Sequence, residues 1–515
     1  TLGPGAEVGP GAQVASGSWV AGTVPAGECW AGAPASRTGT ASHGWPSRPP
    51  RRSYWLAGYG LTSVALAILP VVAALPGLWL ARRLLTSGID LARATSRLLL
   101  IAVPFGAVSW LVGYALLTAL VVRLLGLGLR PGYHPVRSRI GWQVWATERI
   151  LDGARSLLFP LYSSLLTPSW LRLLGADIGR GVEASTVLLL PAMTTVGDGA
   201  FLADDTMVAS YELGGGYLRI EPAKIGKRAF LGNSGTAAPG RSVPKHALVA
   251  VLSAAPQKAR KGSSWLGSPP VQLRRSASLS DDSRTFAPPR RLVAARAVIE
   301  ACRLSAVIAT TAIGVGVLLV LDWLASRVSL PATAAASGLV LLGAGLVAGT
   351  ITCLAKWILI GRTRAVRYLL WSSFVWRNEV VDSFVELVSA PWFARSASGT
   401  AMLALWLRCL GSRIGRGAWL ETYWLPEADL IEIGAGATVN RGCVLQTHLF
   451  HDRILQMDTV TLGSGATLGP HGVILPGASI GAGATVGPSS LVMRGDTVPA
   501  HTRWLGNPIS PWQPR

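Results

Sequence analysis

The chain has 515 residues, half of them hydrophobic and only 14% charged, with a formal net charge of +21 at pH 7. A chain of this length can hold several domains, and its apolar content predicts membrane spans. The arginines cluster beside apolar runs rather than on a face with interleaved aromatic residues, so the charge indicates membrane flanks and argues against nucleic-acid binding. The five cysteines are scattered and form no CxxC pair, which predicts free thiols in a reducing compartment and no zinc site.

A six-residue repeat opens the chain and returns in its middle and near its C-terminus. From Leu462 to Val486 an aliphatic residue recurs every six positions, usually followed by Gly. This pattern predicts a left-handed parallel β-helix, in which each hexapeptide forms one flat side, its aliphatic side chain points inwards and Gly allows the tight corner. Because Thr1 falls inside the repeat, we expect a truncated first domain and a chain that is the C-terminal part of a longer protein. The predicted β-helix domains are residues 1–35 (the end of the first), 165–275 and 405–515.

Two pairs of apolar runs separate these domains, and each run exceeds the roughly 20 residues needed to span a bilayer. The predicted spans are Tyr54–Leu80, Leu98–Val122, Leu304–Leu324 and Ala335–Ile360. The remaining predicted segments are a linker at 36–53, a transmembrane hairpin at 54–125, an amphipathic connector at 126–164, a linker at 276–303, a second hairpin at 304–361 and a second connector at 362–404. The fold class is therefore a mixed membrane protein, with β-helices that alternate with transmembrane α-helical hairpins.

Arginines flank the outer ends of both predicted hairpins, whereas the turn between the third and fourth spans holds only Arg327. By the positive-inside rule, we expect a multi-pass protein of the plasma membrane whose β-helix domains all lie in the cytoplasm. The turn of the first hairpin departs from this pattern, because it holds Arg82, Arg83, Arg93 and Arg97.

The chain also contains an internal duplication. The segment from Leu171 to Gly179 matches the segment from Leu407 to Gly415, and the β-helix repeat follows both. An amphipathic stretch precedes each copy and matches Trp145-Ala146-Thr147-Glu148 with Trp376-Arg377-Asn378-Glu379. The predicted unit is thus a membrane hairpin, an amphipathic helix and a β-helix.

The repeat of the last β-helix is interrupted at residues 444–453, where the chain carries two histidines. Residues that break a plain repeat are candidates for a functional site. Imidazole suits general base catalysis near neutral pH, and the chemistry expected of a hexapeptide β-helix is acyl transfer, so we predict His448 as a catalytic base that Asp452 or Glu427 orients. The base would take a proton from an amine or hydroxyl that attacks a thioester carbonyl. The alternative is a surface loop whose histidines only cap backbone groups.

Gln446 and His451, in the same interruption, are predicted to contact the substrate. Glu427 and Asp429 belong to a group of acids just before it and could bind a cationic substrate such as an ammonium group. The alternative is a solvated acidic edge. No pattern of metal ligands is predicted.

The middle β-helix lacks a histidine at the corresponding place. It has Ala209, Ser210 and Tyr211 where the last β-helix has Gln446, Thr447 and His448, and Glu212 follows. This difference favours a structural, inactive middle copy. The alternative is that Tyr211 and Glu212 line a different pocket.

Hairpins that alternate with β-helices, together with Gln446-Thr447-His448-Leu449-Phe450 and Tyr211-Glu212-Leu213-Gly214-Gly215-Gly216, make the chain similar to the C-terminal half of ε-poly-L-lysine synthetases and their relatives. These are membrane-bound nonribosomal peptide synthetases that make cationic homopoly(amino acids). The resemblance implies six spans, three tandem soluble domains and His448 as the catalytic histidine of the third. It also implies adenylation and carrier domains upstream in the same polypeptide, which use ATP and supply the amino acid as a phosphopantetheine thioester, so that this part of the chain needs no cofactor of its own.

The chain departs from the family at His451, where the family has an acidic residue. The resemblance therefore leaves the substrate open between lysine, diaminobutyrate, ornithine and another diamino acid.

The main expectation is a membrane-bound acyltransferase region that forms amide or isopeptide bonds between a carrier-bound aminoacyl thioester and an amine of a diamino acid or growing cationic polymer. One alternative is a membrane-bound O- or N-acyltransferase that uses acyl-CoA, and another is a non-catalytic β-helix scaffold. Since hexapeptide acyltransferases are expected to work as trimers, the β-helices could form a pseudo-trimer within one chain, or the protein could be a homo-oligomer.

Overall fold

The computed structural model describes residues 2–15, 18–41, 45–46, 49–50, 52–85, 97–274 and 281–512. Nine α-helices occur in these described ranges. They are α1 (Tyr54–Leu85), α2 (Val103–Leu125), α3 (Arg139–Leu157), α4 (Thr167–Leu174), α5 (Arg290–Ala301), α6 (Leu304–Arg327), α7 (Leu330–Leu359), α8 (Ser373–Phe384) and α9 (Ala401–Cys409). Two π-helical segments, Leu98–Ala102 and Val385–Ala394, lie before α2 and after α8.

Four helical segments of the described chain are long and apolar enough to cross a membrane. Their bounds are Tyr54–Leu84, Leu98–Leu125, Arg290–Arg327 and Leu330–Leu359. The first three contain the corresponding predicted spans and extend them, and the fourth begins five residues before the predicted span and ends one residue before its predicted end at Ile360. In the first pair a Cβ atom on Gly77 would lie 2.7 Å from the Cα atom of Gly106, so glycine is what lets α1 and α2 pack at backbone contact.

The C-terminal β-helix has three parallel sheets, and the chain passes from one sheet to the next at each corner. The inward aliphatic residues of the regular repeat, six positions apart, are at most 1% exposed: Leu462, Leu468, Ile474, Ile480 and Val486. The strands of the first sheet are Arg413–Ile414, Ile431–Ile433, Val460–Leu462, Ser479–Ile480 and Thr497–Val498. Those of the second are Trp419–Leu420, Thr438–Val439, Thr467–Leu468, Thr485–Val486, Arg503–Gly506 and Ile509–Pro511, and those of the third are Val444–Leu445, Val473–Ile474 and Leu491–Val492.

The middle β-helix repeats this architecture. The strands of its first sheet are Asp177–Ile178, Thr194–Val196, Ala223–Ile225 and Ser242–Val243. Those of its second are Glu183–Ala184, Phe201–Leu202, Phe230–Leu231, Leu248–Val249, Ser264–Leu266 and Val271–Leu273, and those of its third are Leu188–Leu189, Met207–Val208 and Thr236–Ala237.

The N-terminal β-strands pair in a similar way. Glu7–Val8 pairs in parallel with Thr23–Val24, and Gln13–Val14 pairs with Glu28–Ala31. The last of these strands then pairs antiparallel with Ser36–Thr40, so the unit extends five residues beyond the predicted boundary at 35. The antiparallel hairpins that close the other two β-helices, 264–273 and 503–511, have the same form.

The β-helices of the chain contact one another. Trp19 of the first packs edge-on against Trp512 of the third, with ring centroids 5.7 Å apart. Asn507 of the third donates a hydrogen bond from Nδ2 to the carbonyl of Leu252 in the second, at 3.0 Å. The third β-helix therefore packs against both others.

An antiparallel hairpin leaves the middle and last β-helices at the same corner. It consists of Glu212–Gly214 and Tyr217–Ile220 in the middle copy, and of His448–His451 and Ile454–Met457 in the last. A strand from the preceding connector joins each hairpin, Gly132–Pro135 in one copy and Arg367–Leu369 in the other.

This pairing corrects the match made above between the two connectors. Tyr133 pairs with Arg219 and Arg367 pairs with Gln456 at equivalent hairpin positions, so Trp142 corresponds to Trp376. Glu148 therefore corresponds to Asp382, and the predicted match with Glu379 is wrong by three residues. The sequence match was ambiguous because Trp142 and Trp145 lie three residues apart, and either could be aligned with Trp376.

The predicted linker at 276–303 is largely helical where the structure describes it, and residues 276–280 lie outside the described residues. Helix α5 occupies Arg290–Ala301 because Arg296 is held between Glu183 of the middle β-helix, at 3.1 Å, and Glu300, at 2.6 Å. Buried charges need such partners, and two carboxylates together with the ring of Trp371, 4.9 Å away, supply them.

The stacking of coils predicts the effect of a small substitution at a corner. A Cβ atom on Gly463 would lie 2.5 Å from the backbone nitrogen of Ala482 in the next coil. We expect Gly463→Ala to lower the free energy of unfolding by about 1–3 kcal/mol, since overpacked sites shift the backbone. Gly39→Ala is the control, because nothing lies within 4 Å of its Cβ position. Thermal unfolding in detergent measures both, and equal stability of the two variants would contradict this explanation of the corner glycines.

Candidate active site

A cavity of about 410 Å³ lies between the middle and last β-helices and is closed on a further side by the second connector. Its lining includes Asp204 from the middle β-helix, Gln446 and His448 from the last, and Glu379 and Asp382 from helix α8. This volume is in the range of sites for small molecules.

His448 begins the hairpin strand, and its imidazole forms a close pair with Glu427. His448 Nδ1 lies 2.8 Å from Glu427 Oε2. Since a carboxylate only accepts hydrogen bonds, Nδ1 carries the proton and donates it, which leaves Nε2 as the basic nitrogen of the neutral ring. The side chain of His448 is 16% exposed and that of Glu427 is 0% exposed, so the carboxylate lies behind the imidazole.

The position of Glu427 is set by an unusual backbone conformation. Its φ is +41°, in the left-handed region, and it immediately precedes the 3₁₀ turn Ala428–Leu430. Asn378 of α8 donates to its Oε1 at 3.0 Å, and the hydroxyl of Thr447 hydrogen-bonds to Oε2. A non-glycine residue in this region is costly, and such strain is often found at functional sites.

The pKa values of the pair move in opposite directions. Burial would raise the pKa of Glu427, but the charge of His448 and the hydrogen bonds from His448, Thr447 and Asn378 lower it overall. Burial would lower the pKa of His448, but the charge and hydrogen bond of Glu427, with weaker effects of Asp204 and Glu379, raise it overall. The pair therefore behaves as a base whose proton affinity is increased by a buried carboxylate.

Gln446 lines the same cavity, and its residue is 5% exposed. Its side-chain amide has no hydrogen-bond partner among the described residues. The predicted contact between Gln446 and substrate stays a prediction, and the structure places Gln446 and His448 in the lining of the same cavity.

Sequence reasoning missed the acidic side chains of α8, of the π-helical segment that continues it and of the middle β-helix. Glu379, Asp382 and Glu386 all line the cavity, and their spacing of three and four residues places them on one face of a helix. That spacing was a signal in the sequence. Asp204 carried no such signal, because only the contact between the two β-helices brings it to the cavity.

Six of the eight predicted site residues lie away from the cavity lining, among them Glu427, which contacts His448. Asp452 is in the turn at the far end of the hairpin, where its Oδ2 is 3.3 Å from His451 Nε2. Of the two acids predicted to orient His448, Glu427 is the one that hydrogen-bonds to it, and the orienting role stays a prediction. Asp429 forms a buried ion pair with Lys356 of α7, at 2.8 Å. Glu212 accepts from Arg219 at 3.1 Å.

Tyr211 occupies the place of His448 in the middle copy. Its hydroxyl hydrogen-bonds to Glu148 of α3, and burial together with that carboxylate raises its pKa. A phenol with a raised pKa is a poor base near neutral pH. The residue that corresponds to Glu427, at the start of the equivalent 3₁₀ turn, is Leu190.

The tip of the His448 hairpin docks on the middle β-helix. Arg453, 2% exposed, donates to the carbonyls of Gly181, at 2.5 Å, and Gly199, at 3.1 Å. Phe450 packs on Phe201, with ring centroids 5.0 Å apart. These contacts hold the two walls of the cavity together.

The described residues contain no group of three or more His, Cys, Asp or Glu side chains placed to hold a metal ion.

Comparison with known proteins finds a protein that is similar in sequence to nearly all of this chain and is considerably longer. The chain is 32% identical, over an aligned length of 513 residues, to delta-poly-L-ornithine synthetase of Acinetobacter baumannii (strain AB307-0294). The alignment covers 95% of this chain and 38% of the relative, so the chain spans less than half of that protein's length. No protein-family model matches the chain.

Among solved structures, a maltose O-acetyltransferase from Clostridium difficile 630 matches 33% of this chain and 89% of its own length, with 14% sequence identity and a TM-score of 0.17. This likeness is too weak to define a shared fold.

The pair of His448 and Glu427 predicts a specific pH dependence. Diethyl pyrocarbonate modifies only the unprotonated imidazole, and the raised pKa of His448 means that its modification requires a higher pH than that of an ordinary histidine. We expect Glu427→Gln to move the midpoint of this modification to lower pH, because the raising effect of the carboxylate is lost. Peptide mass spectrometry would give the extent of modification of His448 at each pH.

Asp452→Asn is the matched control, since that carboxylate pairs with His451. A midpoint that moves equally in both variants would show that Glu427 has no special effect on His448.

Proposed function

We propose that the chain is the amide-bond-forming region of a cationic poly(amino acid) synthetase and that His448 is its catalytic base. The single observation that carries this proposal is the His448–Glu427 pair, with its basic nitrogen available in a cavity rich in carboxylates. The similarity to a delta-poly-L-ornithine synthetase over 95% of the chain supports a synthetase of this kind, with ornithine or another diamino acid as substrate. We also propose that the β-helices wind left-handed, as hexapeptide repeats favour.

In this mechanism the amine acceptor binds in the cavity next to His448. Nε2 takes a proton from the amine as its nitrogen attacks the carbonyl carbon of an aminoacyl thioester. A C–N bond forms, the C–S bond of the tetrahedral intermediate breaks, and the proton on His448 passes to the departing thiolate. Glu427 stabilises the imidazolium, and the unpaired amide of Gln446 is the side-chain donor available to the oxyanion.

The thioester is a substrate, and we propose that a carrier domain elsewhere in the same polypeptide presents it on phosphopantetheine. ATP would be used only by an adenylation domain outside this chain. The cavity suits the acceptor better than the donor, because its carboxylates favour a cation.

The β-helix contacts support a pseudo-trimer within one chain. Trp19 with Trp512, and Asn507 with Leu252, join the third β-helix to each of the others. Hexapeptide acyltransferases are expected to place their sites between neighbouring β-helices, and the cavity lies at one such boundary.

A variant of His448 tests the proposed base. In the full-length synthetase, we expect His448→Ala to lower the rate of polymer formation by roughly 10²–10⁴-fold, the range typical of a general base. Mass spectrometry of the product measures polymer, and loading of the carrier domain should be unchanged. His471→Asn is the control, because His471 is an exposed corner residue with φ of +56°, which Asn tolerates. Undiminished polymer formation by His448→Ala would rule out this base and favour the scaffold function.

We propose that the protein crosses the plasma membrane and that all β-helices lie in the cytoplasm. The ends of α6 and α7 that lead to the β-helices lie opposite the short turn after Arg327. We expect a cysteine at Val328 to react with a membrane-impermeant maleimide in intact cells, and a cysteine at Ser464, on the last β-helix, to react only after lysis. Peptide mass spectrometry separates these sites from the native cysteines, and labelling of Ser464→Cys in intact cells would reverse the orientation.

A further inference from the structure

The cavity beside His448 carries more negative charge than the protein neutralises. Seven carboxylates of the described chain line it, and five of them are paired with four arginines. The paired acids are Glu183 and Glu300 with Arg296, Asp205 with Arg155, Glu379 with Arg303 and Glu386 with Arg395. The other two lining carboxylates, Asp204 and Asp382, form no ion pair with an arginine in the described chain.

Asp382 and Asp204 approach the cavity from different elements. The carboxylate of Asp382, on α8, has no hydrogen-bond or ion-pair partner among the residues that the structure describes. Asp204, on the middle β-helix, contacts the hydroxyls of Ser185 and Thr186 and has no cationic partner in the described ranges. Both residues are partly exposed to the cavity, and a carboxylate that is partly withdrawn from water without a cationic partner favours a cation from outside the protein.

The titration of Asp382 agrees with this charge imbalance. Burial is the largest cause that raises its pKa well above the usual value, and repulsion from Glu379, Glu427 and Asp204 adds to it, whereas Arg303 opposes it. Burial likewise raises the pKa of Glu379 to about 7, against the effect of Arg303. A bound cation would relieve the repulsion among these carboxylates.

Gln446 gives independent evidence for a polar ligand. Its residue is 5% exposed, its amide lines the cavity, and the described residues offer that amide no hydrogen-bond partner. An unpaired amide in a buried position costs free energy unless a ligand or water satisfies it. The cavity thus combines an unsatisfied neutral amide near the base with two unneutralised carboxylates.

We propose that Asp382 and Asp204 bind the second, non-reacting ammonium group of a diamine acceptor while its other amine faces His448; this inference rests on the function proposed above. Asp204, Asp382 and His448 line the same cavity, and the charge of Asp204 acts on both of the others, so one small diamine can span the three groups. The middle β-helix, although it lacks its own histidine, then forms half of the acceptor site. Acceptors with a second ammonium group are selected over monoamines of the same length.

Two acceptors of equal length test this selectivity. The full-length synthetase, with its carrier preloaded with the aminoacyl group, is offered 1,4-diaminobutane or butylamine, neither of which carries a carboxylate that could be adenylated. We expect the wild-type protein to prefer the diamine by roughly tenfold or more in kcat/KM, because a charge-assisted hydrogen bond contributes about 1.5–3 kcal/mol. This preference should come mainly from a higher KM for the monoamine than for the diamine.

Asp382→Asn and Asp204→Asn should each reduce the preference to about twofold, chiefly through a higher KM for the diamine. Asp382→Glu should retain most of it. Glu432→Gln is the control, because Glu432 pairs with Arg413 on the outer face of the β-helix. Size-exclusion chromatography and thermal unfolding establish that each variant is folded. If Asp382→Asn does not fold, Asp204→Asn provides the test, since Asp204 belongs to the middle β-helix and not to α8.

The outcomes separate this inference from the proposed function. If His448→Ala is inactive but both aspartate variants keep the full preference for the diamine, the acceptor site is wrong and the base stands. If His448→Ala remains active while the aspartate variants lose the preference, the base is wrong and the acceptor site stands.

Discussion

The close stacking of successive coils constrains where this protein can place polar groups. At the corners the coils meet at backbone contact, as the 2.4 Å between a Cβ on Gly434 and the nitrogen of Ser464 shows. The interior is filled by aliphatic side chains such as Ile474 and Ile480, which are 0% and 1% exposed. A polar side chain inside such a coil would have no partner, so chemistry must arise where the repeat is interrupted.

The interruption that forms the site depends on elements outside the β-helix. The hairpin that begins with His448 is joined by the strand Arg367–Leu369, and its tip is held by Arg453 on the carbonyls of the middle β-helix. Arg303, at the start of α6, is 1% exposed, donates to the carbonyl of Tyr162 at 2.6 Å and pairs with Glu379 at 2.9 Å. The geometry around His448 is therefore tied to the helices that lead into the apolar segments, and a displacement of those helices would be transmitted to the cavity.

The sequence was most informative where a short local rule applied. The six-residue spacing identified the inward residues of the last β-helix, and hydropathy located the four apolar helices, because both patterns repeat many times. The interruption of the repeat pointed to His448 and Gln446. Glu427 was weighed equally with Asp452, and only the left-handed backbone at Glu427, which sequence does not reveal, brings its carboxylate to the imidazole.

What the sequence did not reveal depends on contacts between distant segments. Asp204 reaches the cavity only because two β-helices pack together, and no local pattern marks it. The acids of α8 were visible in the sequence as one face of a helix. The sequence predicted an amphipathic connector there but did not show which element this face would contact. The linker at 276–303 was judged by composition, which did not show that Arg296 would be buried between two carboxylates.

Comparison of the two copies shows how one unit can lack the histidine and its carboxylate and still contribute to the cavity. In the middle copy Leu190 stands where Glu427 does, so an imidazole at Tyr211 would have no buried carboxylate to raise its pKa. Tyr211 instead hydrogen-bonds to Glu148, the counterpart of Asp382, and that contact uses the acid that the last copy leaves unpaired. The differences at the three positions thus occur together: the last copy has a histidine, a buried carboxylate beside it and an unpaired acid, whereas the middle copy has a tyrosine, a leucine and an acid that the tyrosine pairs with. Because the outer face of the middle β-helix supplies Asp204 to the cavity and holds Arg453, the middle copy remains part of the cavity of its neighbour although it lacks the histidine.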